Sequence, residues 1–109
     1  MNILSRFFSE DVVTNTEGGK QTKVKTAFHL IPSIALFAVA EVLYEGSLKY
    51  ETDNWKKISI EIHLGRCLQH IHAYLAGDTT ENHLPHALCR LLFAAAMKLE
   101  SDNLKRDYL

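Results

Sequence analysis

The sequence predicts an all-α fold, a compact bundle of three to four helices assembled as a homo-oligomer. Three observations carry this expectation. No stretch shows the period-2 alternation of a half-buried strand. Apolar residues recur at helical spacing from residue 32 to residue 100. The punctuation fits helix ends: Pro32 and Gly46 flank one apolar run, Ser59 and Gly77 a second, and Thr79, Thr80 or Asn82 precedes a third.

The elements follow in order. Residues 1–10 read as a short amphipathic helix or a docking arm. Residues 11–27 are polar and contain Thr14, Asn15, Thr16, Gly18 and Gly19, which favour a loop. Lys20, Lys23 and Lys25 alternate there, as a solvated loop or a phosphate-contacting lid; the spacing of a P-loop is absent. The run 32–45 is apolar nearly all round, so it belongs at the bundle centre or in an oligomer interface. Residues 46–55 read as a helical turn and a loop. A second helix is expected over 60–76 and a third over 81–100, with Pro85 tolerated in its first turn. The polar stretch 101–109 frays or docks. The chain is thus one domain of 109 residues: arm and loop 1–27, helical core 32–100, tail 101–109.

Composition narrows the function. A hydrophobic fraction of 47% supports a packed core. The formal net charge of -1 supplies no basic field to draw the chain to nucleic acid or an anionic membrane, so neither is expected as a partner. No apolar run reaches the roughly 18 residues that span a bilayer. The N-terminal residues lack signal-peptide features, and Cys67 and Cys89 sit in apolar helical patterns as reduced core thiols. Both point to the cytoplasm.

The chemistry concentrates in two stretches. Of six histidines, five fall between residues 63 and 86. His63, Arg66 and His70 occupy positions i, i+3 and i+7, and His83, His86 and Arg90 repeat those offsets. At about 100° per residue each set forms one stripe on a helix. Two such helices joined by a short loop can face each other. Four imidazoles and two guanidiniums suit a phosphate-rich ligand, with Arg66 and Arg90 gripping oxygens in bidentate fashion. The plainer alternative is a polar helix face.

Carboxylates offer a metal site. Glu41 and Glu45 are one turn apart at the end of the apolar helix, and Asp78 and Glu81 flank the loop between the histidine stripes. Hard oxygen ligands suit Mg²⁺ or Mn²⁺. The alternative is that Glu45 is a solvated helix end and Glu41 pairs with a Lys or His. Lys49, Tyr50, Asn54 and Trp55 form a third group: Lys for a phosphate, Asn and the aromatics for a base. For Trp55 the competing role is an anchor that pins a loop to the core.

These pieces stand in a familiar order: Gly18-Gly19-Lys20, Leu30-Ile31-Pro32, Gly46-x-x-Lys49-Tyr50 with Asn54-Trp55, then His63-Leu64, His70, Leu75-Ala76-Gly77-Asp78 and His83-Leu84-x-His86-Ala87-x-Cys89-Arg90. Over about residues 18–97 the chain resembles the phage- and prophage-borne dATP/dGTP diphosphohydrolase N-terminal domain family. In spirit that family is similar to the all-α NTP pyrophosphohydrolases of MazG type. Arg66 stands where the family tends to carry His, and Gln69 where it often carries a basic residue. Arg cannot ligate a metal, so these departures fit phosphate binding better than a strict histidine–metal site. Glu41 and Glu45 are spaced by four, unlike the ExxE pattern of the MazG type.

The resulting expectation is a metal-dependent (deoxy)nucleoside triphosphate pyrophosphohydrolase-like protein. Glu41 and Glu45 would be catalytic, holding Mg²⁺ or Mn²⁺ with Asp78 or Glu81. Lys49, Tyr50, Asn54, Trp55, His63, Arg66, His70, His83, His86 and Arg90 would bind the nucleotide. The alternative is a non-catalytic phage protein that sequesters a nucleotide or a nucleotide immune signal. A structural bundle with no nucleotide affinity is the third reading.

Overall fold

A computed structural model describes residues 3–108, with side chains for residues 4–103. The chain opens with a 3₁₀ segment, Ile3–Phe7, and continues into strand β1, Phe8–Thr14. The first two residues of the expected N-terminal helix or arm lie outside the described residues. Strand β2, Lys20–Val24, pairs antiparallel with β1, with Thr14 opposite Lys20, Val12 opposite Thr22 and an irregular register before Phe8 meets Val24. Helix α1 spans Ser33–Ser47, α2 Ile60–Leu75 and α3 His83–Tyr108, and a 3₁₀ turn, Asn54–Lys57, precedes α2.

The hairpin overturns the all-α expectation: the fold is α+β, three helices with a two-stranded sheet. Its turn has a local cause. The Asn15 side-chain oxygen accepts hydrogen bonds from the backbone N–H groups of Glu17 (2.9 Å) and Gly19 (2.8 Å), and Gly18 supplies φ +88°. Val12, Val13, Thr14, Thr22 and Val24 are β-branched and suit a pleated backbone. The sequence hid the strands because nearly all their residues are exposed. With no buried face, there was no apolar alternation to read.

The three expected helices are present, with shifted ends. Pro32 sits just before α1 at its N-cap position, and Gly46 lies inside the helix rather than stopping it. The Ser59 hydroxyl accepts from the N–H of Ile62 at 3.2 Å and caps α2. Helix α3 does not end near residue 100. Its polar continuation stays helical through Tyr108, helped by an i,i+4 pair between Lys98 and Asp102 at 3.0 Å. Position 109 lies outside the described residues.

The centre of the bundle is α3, which packs against both α1 and α2. Of the two places expected for run 32–45, the bundle centre is corrected, since α3 takes it. Ala35, Ala38, Val39, Val42 and Gly46 recur at helical spacing as the less exposed side of α1, so small residues make its seam with α3. Its large residues stay outside: Ile34 is 81% exposed and Phe37 74%. The core is correspondingly small, with Val39, Cys67, Ala87, Cys89 and Ala94 as its buried apolar residues. Both cysteines are buried and unbridged. No helix among the described residues is long and apolar enough to cross a membrane.

Candidate functional site

Helices α2 and α3 run antiparallel, and their facing histidine stripes are in register. Seven residues along α2 from His63 lies His70, and seven residues back along α3 from Arg90 lies His83; His63 meets Arg90 and His70 meets His83. The less exposed residues of α2 are Ile60, His63, Cys67, His70, Ile71 and Ala73, along one side of the helix.

The loop between the helices is built by local rules. Gly77, at φ +86°, follows the last turn of α2, with its N–H bonded to the Tyr74 carbonyl and the Asp78 N–H bonded to the Ala73 carbonyl, each at 3.0 Å. That is a Schellman motif, and it fixes Asp78 just beyond the helix. The Asn82 carbonyl accepts the N–H of His86 at 3.4 Å, opening α3. Pro85 falls in the first turn, where its missing N–H has no helical partner to lose.

At the far end of the helix pair from this loop, His63 is fully buried. Its Nε2–H donates to the Trp55 carbonyl at 2.8 Å, and Arg90 Nη1 donates to its Nδ1 at 3.1 Å. A guanidinium has only donors, so the Nδ1 it addresses carries the lone pair. Both ring nitrogens are thereby used. Trp55 stacks on Phe93 with centroids 4.8 Å apart and planes 6° apart, which ties the 54–57 turn to α3. Packing of Trp55 as a loop anchor is therefore present, whatever else it does.

At the loop end the imidazoles gather. His83 is buried; its Nε2–H donates to the Asp78 carboxylate, and its Nδ1 lies 2.9 Å from His70 Nδ1. The Thr80 hydroxyl donates to the same carboxylate at 2.8 Å. The His83 N–H and then the Thr80 hydroxyl hold the Asp78 carboxyl below the usual carboxylate range. His86 stacks on His70 with centroids 5.2 Å apart. Burial, followed by the His86 charge, pushes His70 below its usual value. Glu81 Oε2 stands 4.0 Å from His83 Nδ1. One ligand atom from each of His70, Glu81 and His83 falls within 4.8 Å of the others. Burial raises the Cys89 thiol, so it is a packing residue rather than a nucleophile.

The other candidates lie apart from this cluster. Arg66 is exposed on α2 and donates to Gln69 at 3.1 Å. Glu41 and Glu45 are exposed on α1, and neither joins the metal-type group formed among the described residues. Lys49 and Tyr50 are exposed and Asn54 is half-buried. The lysines 20, 23 and 25 are exposed on or just after β2. Sequence reasoning grouped Asp78 with Glu81 as metal ligands and missed its bond to His83. The signal was present: an acidic residue directly after a helix-stopping glycine, five positions before a helix-opening histidine.

The sequence model of the family described as dATP/dGTP diphosphohydrolase, N-terminal, matches residues 15–107. The match runs from the hairpin turn through nearly all of α3 and contains every residue of both clusters. No curated protein and no solved structure gives a significant match. With most of its length matched, the chain belongs to the dATP/dGTP diphosphohydrolase N-terminal family.

Proposed function

We propose that the chain binds the phosphates of a (deoxy)nucleoside triphosphate on the α2–α3 face and hydrolyses the α–β phosphoanhydride in a metal-dependent reaction. The observation that carries this is the packing of His70, His83 and His86 beside Asp78 and Glu81, with Arg90 farther along the same helix pair. The family description, dATP/dGTP diphosphohydrolase, agrees with it in substrate class.

Imidazole N–H groups and a guanidinium are hydrogen-bond donors suited to phosphate oxygens. Arg90 has five N–H donors, and its bond to His63 uses one. Lys49 and Arg66, both exposed, supply further positive charge, and Asn54, Tyr50 and Trp55 supply base contacts. Mg²⁺ or Mn²⁺, on Glu41 and Glu45 or on the loop carboxylates Asp78 and Glu81, supplies Lewis-acid charge at the phosphate oxygens when bound. Water attacks the α-phosphorus, pyrophosphate leaves, and a nucleoside monophosphate remains. The setting is the cytoplasm, and the apolar residues exposed on α1 support a homo-oligomer.

A second reading is sequestration of a nucleotide without chemistry. It is favoured by the exposed positions of Glu41 and Glu45, apart from the histidine cluster. One experiment separates the two. Purified protein is incubated with a panel of dNTPs, NTPs and cyclic or ADP-ribose-type nucleotides, with Mn²⁺ or with EDTA. Filtrate and heat-denatured protein are then chromatographed. Metal-dependent formation of a monophosphate supports hydrolysis. Depletion with release of intact ligand on denaturation supports sequestration. No change with any nucleotide rejects both.

A further inference from the structure

The metal chemistry of the loop cluster differs from that of a carboxylate site. His83 gives its Nε2–H to Asp78, so its Nδ1 carries a lone pair. That lone pair faces His70 Nδ1 at 2.9 Å, a contact that needs one proton between two nitrogens. A cation bound by both nitrogens takes the place of that proton. Metal-ligating histidines characteristically donate their other ring N–H to a carboxylate, which fixes tautomer and ring orientation. Asp78 does this for His83, and the Schellman turn fixes Asp78.

We propose that His70, His83 and Glu81 form a three-ligand site for a nitrogen-preferring divalent transition ion such as zinc, with Asp78 orienting His83. Metal–ligand bonds of about 2.0–2.1 Å at tetrahedral angles put ligand atoms about 3.3 Å apart. The nitrogen pair reaches that separation by opening a few tenths of an ångström. Glu81 Oε2 starts 4.0 Å from His83 Nδ1, and its side chain is 56% exposed, so a rotamer change brings it in. Two imidazoles in the ligand set favour zinc over magnesium, which takes oxygen ligands. Three protein ligands leave a fourth position open, as catalytic zinc sites do. Only the use of that position, by a phosphate oxygen, rests on the nucleotide reading.

The test uses the full chain stripped with EDTA, then titrated with zinc and separately with magnesium by calorimetry. X-ray absorption on the zinc-loaded wild type reads the ligand atoms directly. One zinc per chain is expected, bound at least about 100-fold tighter than magnesium, with two imidazoles and no sulfur around it. His70→Ala loses at least about 100-fold in zinc affinity. Asp78→Asn loses about 10–100-fold, as removal of an orienting carboxylate does. The control Glu61→Gln binds as the wild type does. Sulfur around the zinc, fewer than two imidazoles, or zinc no tighter than magnesium overturns the site; so does undiminished affinity in His70→Ala. If His70→Ala loses its helical circular dichroism, the wild-type absorption spectrum decides. Zinc bound as described with no affinity for any nucleotide sinks the nucleotide reading and leaves the metal site standing. Nucleotide turnover in protein that binds no zinc does the reverse.

Discussion

His63 and His70 lie on one stripe of α2, yet their surroundings give them different work. His63 is sealed between the Trp55 carbonyl and Arg90 with both nitrogens engaged. Replacing Arg90 by Leu strands a buried acceptor, and leaving such a group unpaired costs about 1–3 kcal/mol. The unfolding free energy of Arg90→Leu, measured in urea, is expected to fall by that amount; an unchanged value means the bond contributes nothing. His70 is half-buried against His83 and His86, and its pKa lies below the ordinary 6.5. The unfolded chain therefore binds a proton that the folded chain refuses. The stability this confers is complete above about pH 6.5 and is lost as pH falls through the lowered folded value. In metal-free protein the urea midpoint should drop as pH falls below about 6.5, and His70→Gln should flatten that slope. Equal slopes in the two proteins contradict the assignment.

At the level of elements, the punctuation around α2 is the most legible part of the chain. Ser59 and Gly77 were legible as the ends of α2 because capping and positive φ are local chemistry. An alanine at Gly77 meets no neighbouring atom but must hold φ +86°, at a cost of about 1–2 kcal/mol. Gly77→Ala should thus lose about that stability by thermal melting; a neutral result means that the loop relaxes freely. The hairpin was illegible for the opposite reason. Among the described residues, β1 and β2 pack on each other and β1 on the 3₁₀ segment before it, but neither packs on a helix. An apolar face is written into a strand only where the strand is buried. The tail was misread likewise: polar residues after 100 fit a frayed end and a solvated helix equally well, and the structure makes them helix.

Taken whole, the molecule is more open than a chain this long requires. Its radius of gyration is 18.3 Å, with extents of 55 × 38 × 27 Å. A compact domain of this length has about 13 Å. The hairpin standing off the helices accounts for part of the excess. Phe28, Ile34, Phe37, Tyr44 and Leu48 are each more than 60% exposed, four of them on or beside α1. Scattered apolar residues are ordinary on a surface, but this density supports the proposed self-association. Sedimentation equilibrium should find more than one chain per particle at micromolar concentration, with Phe37→Asp shifting it toward monomer. A monomeric wild type removes the proposal.

By itself the sequence determined where the three helices lie, the caps of α2, the paired histidine stripes and the family, because each is written in short-range spacing or in the order of motifs. Tertiary structure decided what those residues became. Antiparallel packing of α2 on α3 buried His63 and left Arg66 in solvent, although both belong to one stripe, because the interface covers only part of that face. The same packing brought His70 to His83, thirteen residues apart in the chain, and made α3 rather than the greasier α1 the central helix. Hydrophobicity says that a helix needs a partner; only the packed chain says which helix the partner is, and so which side chains meet.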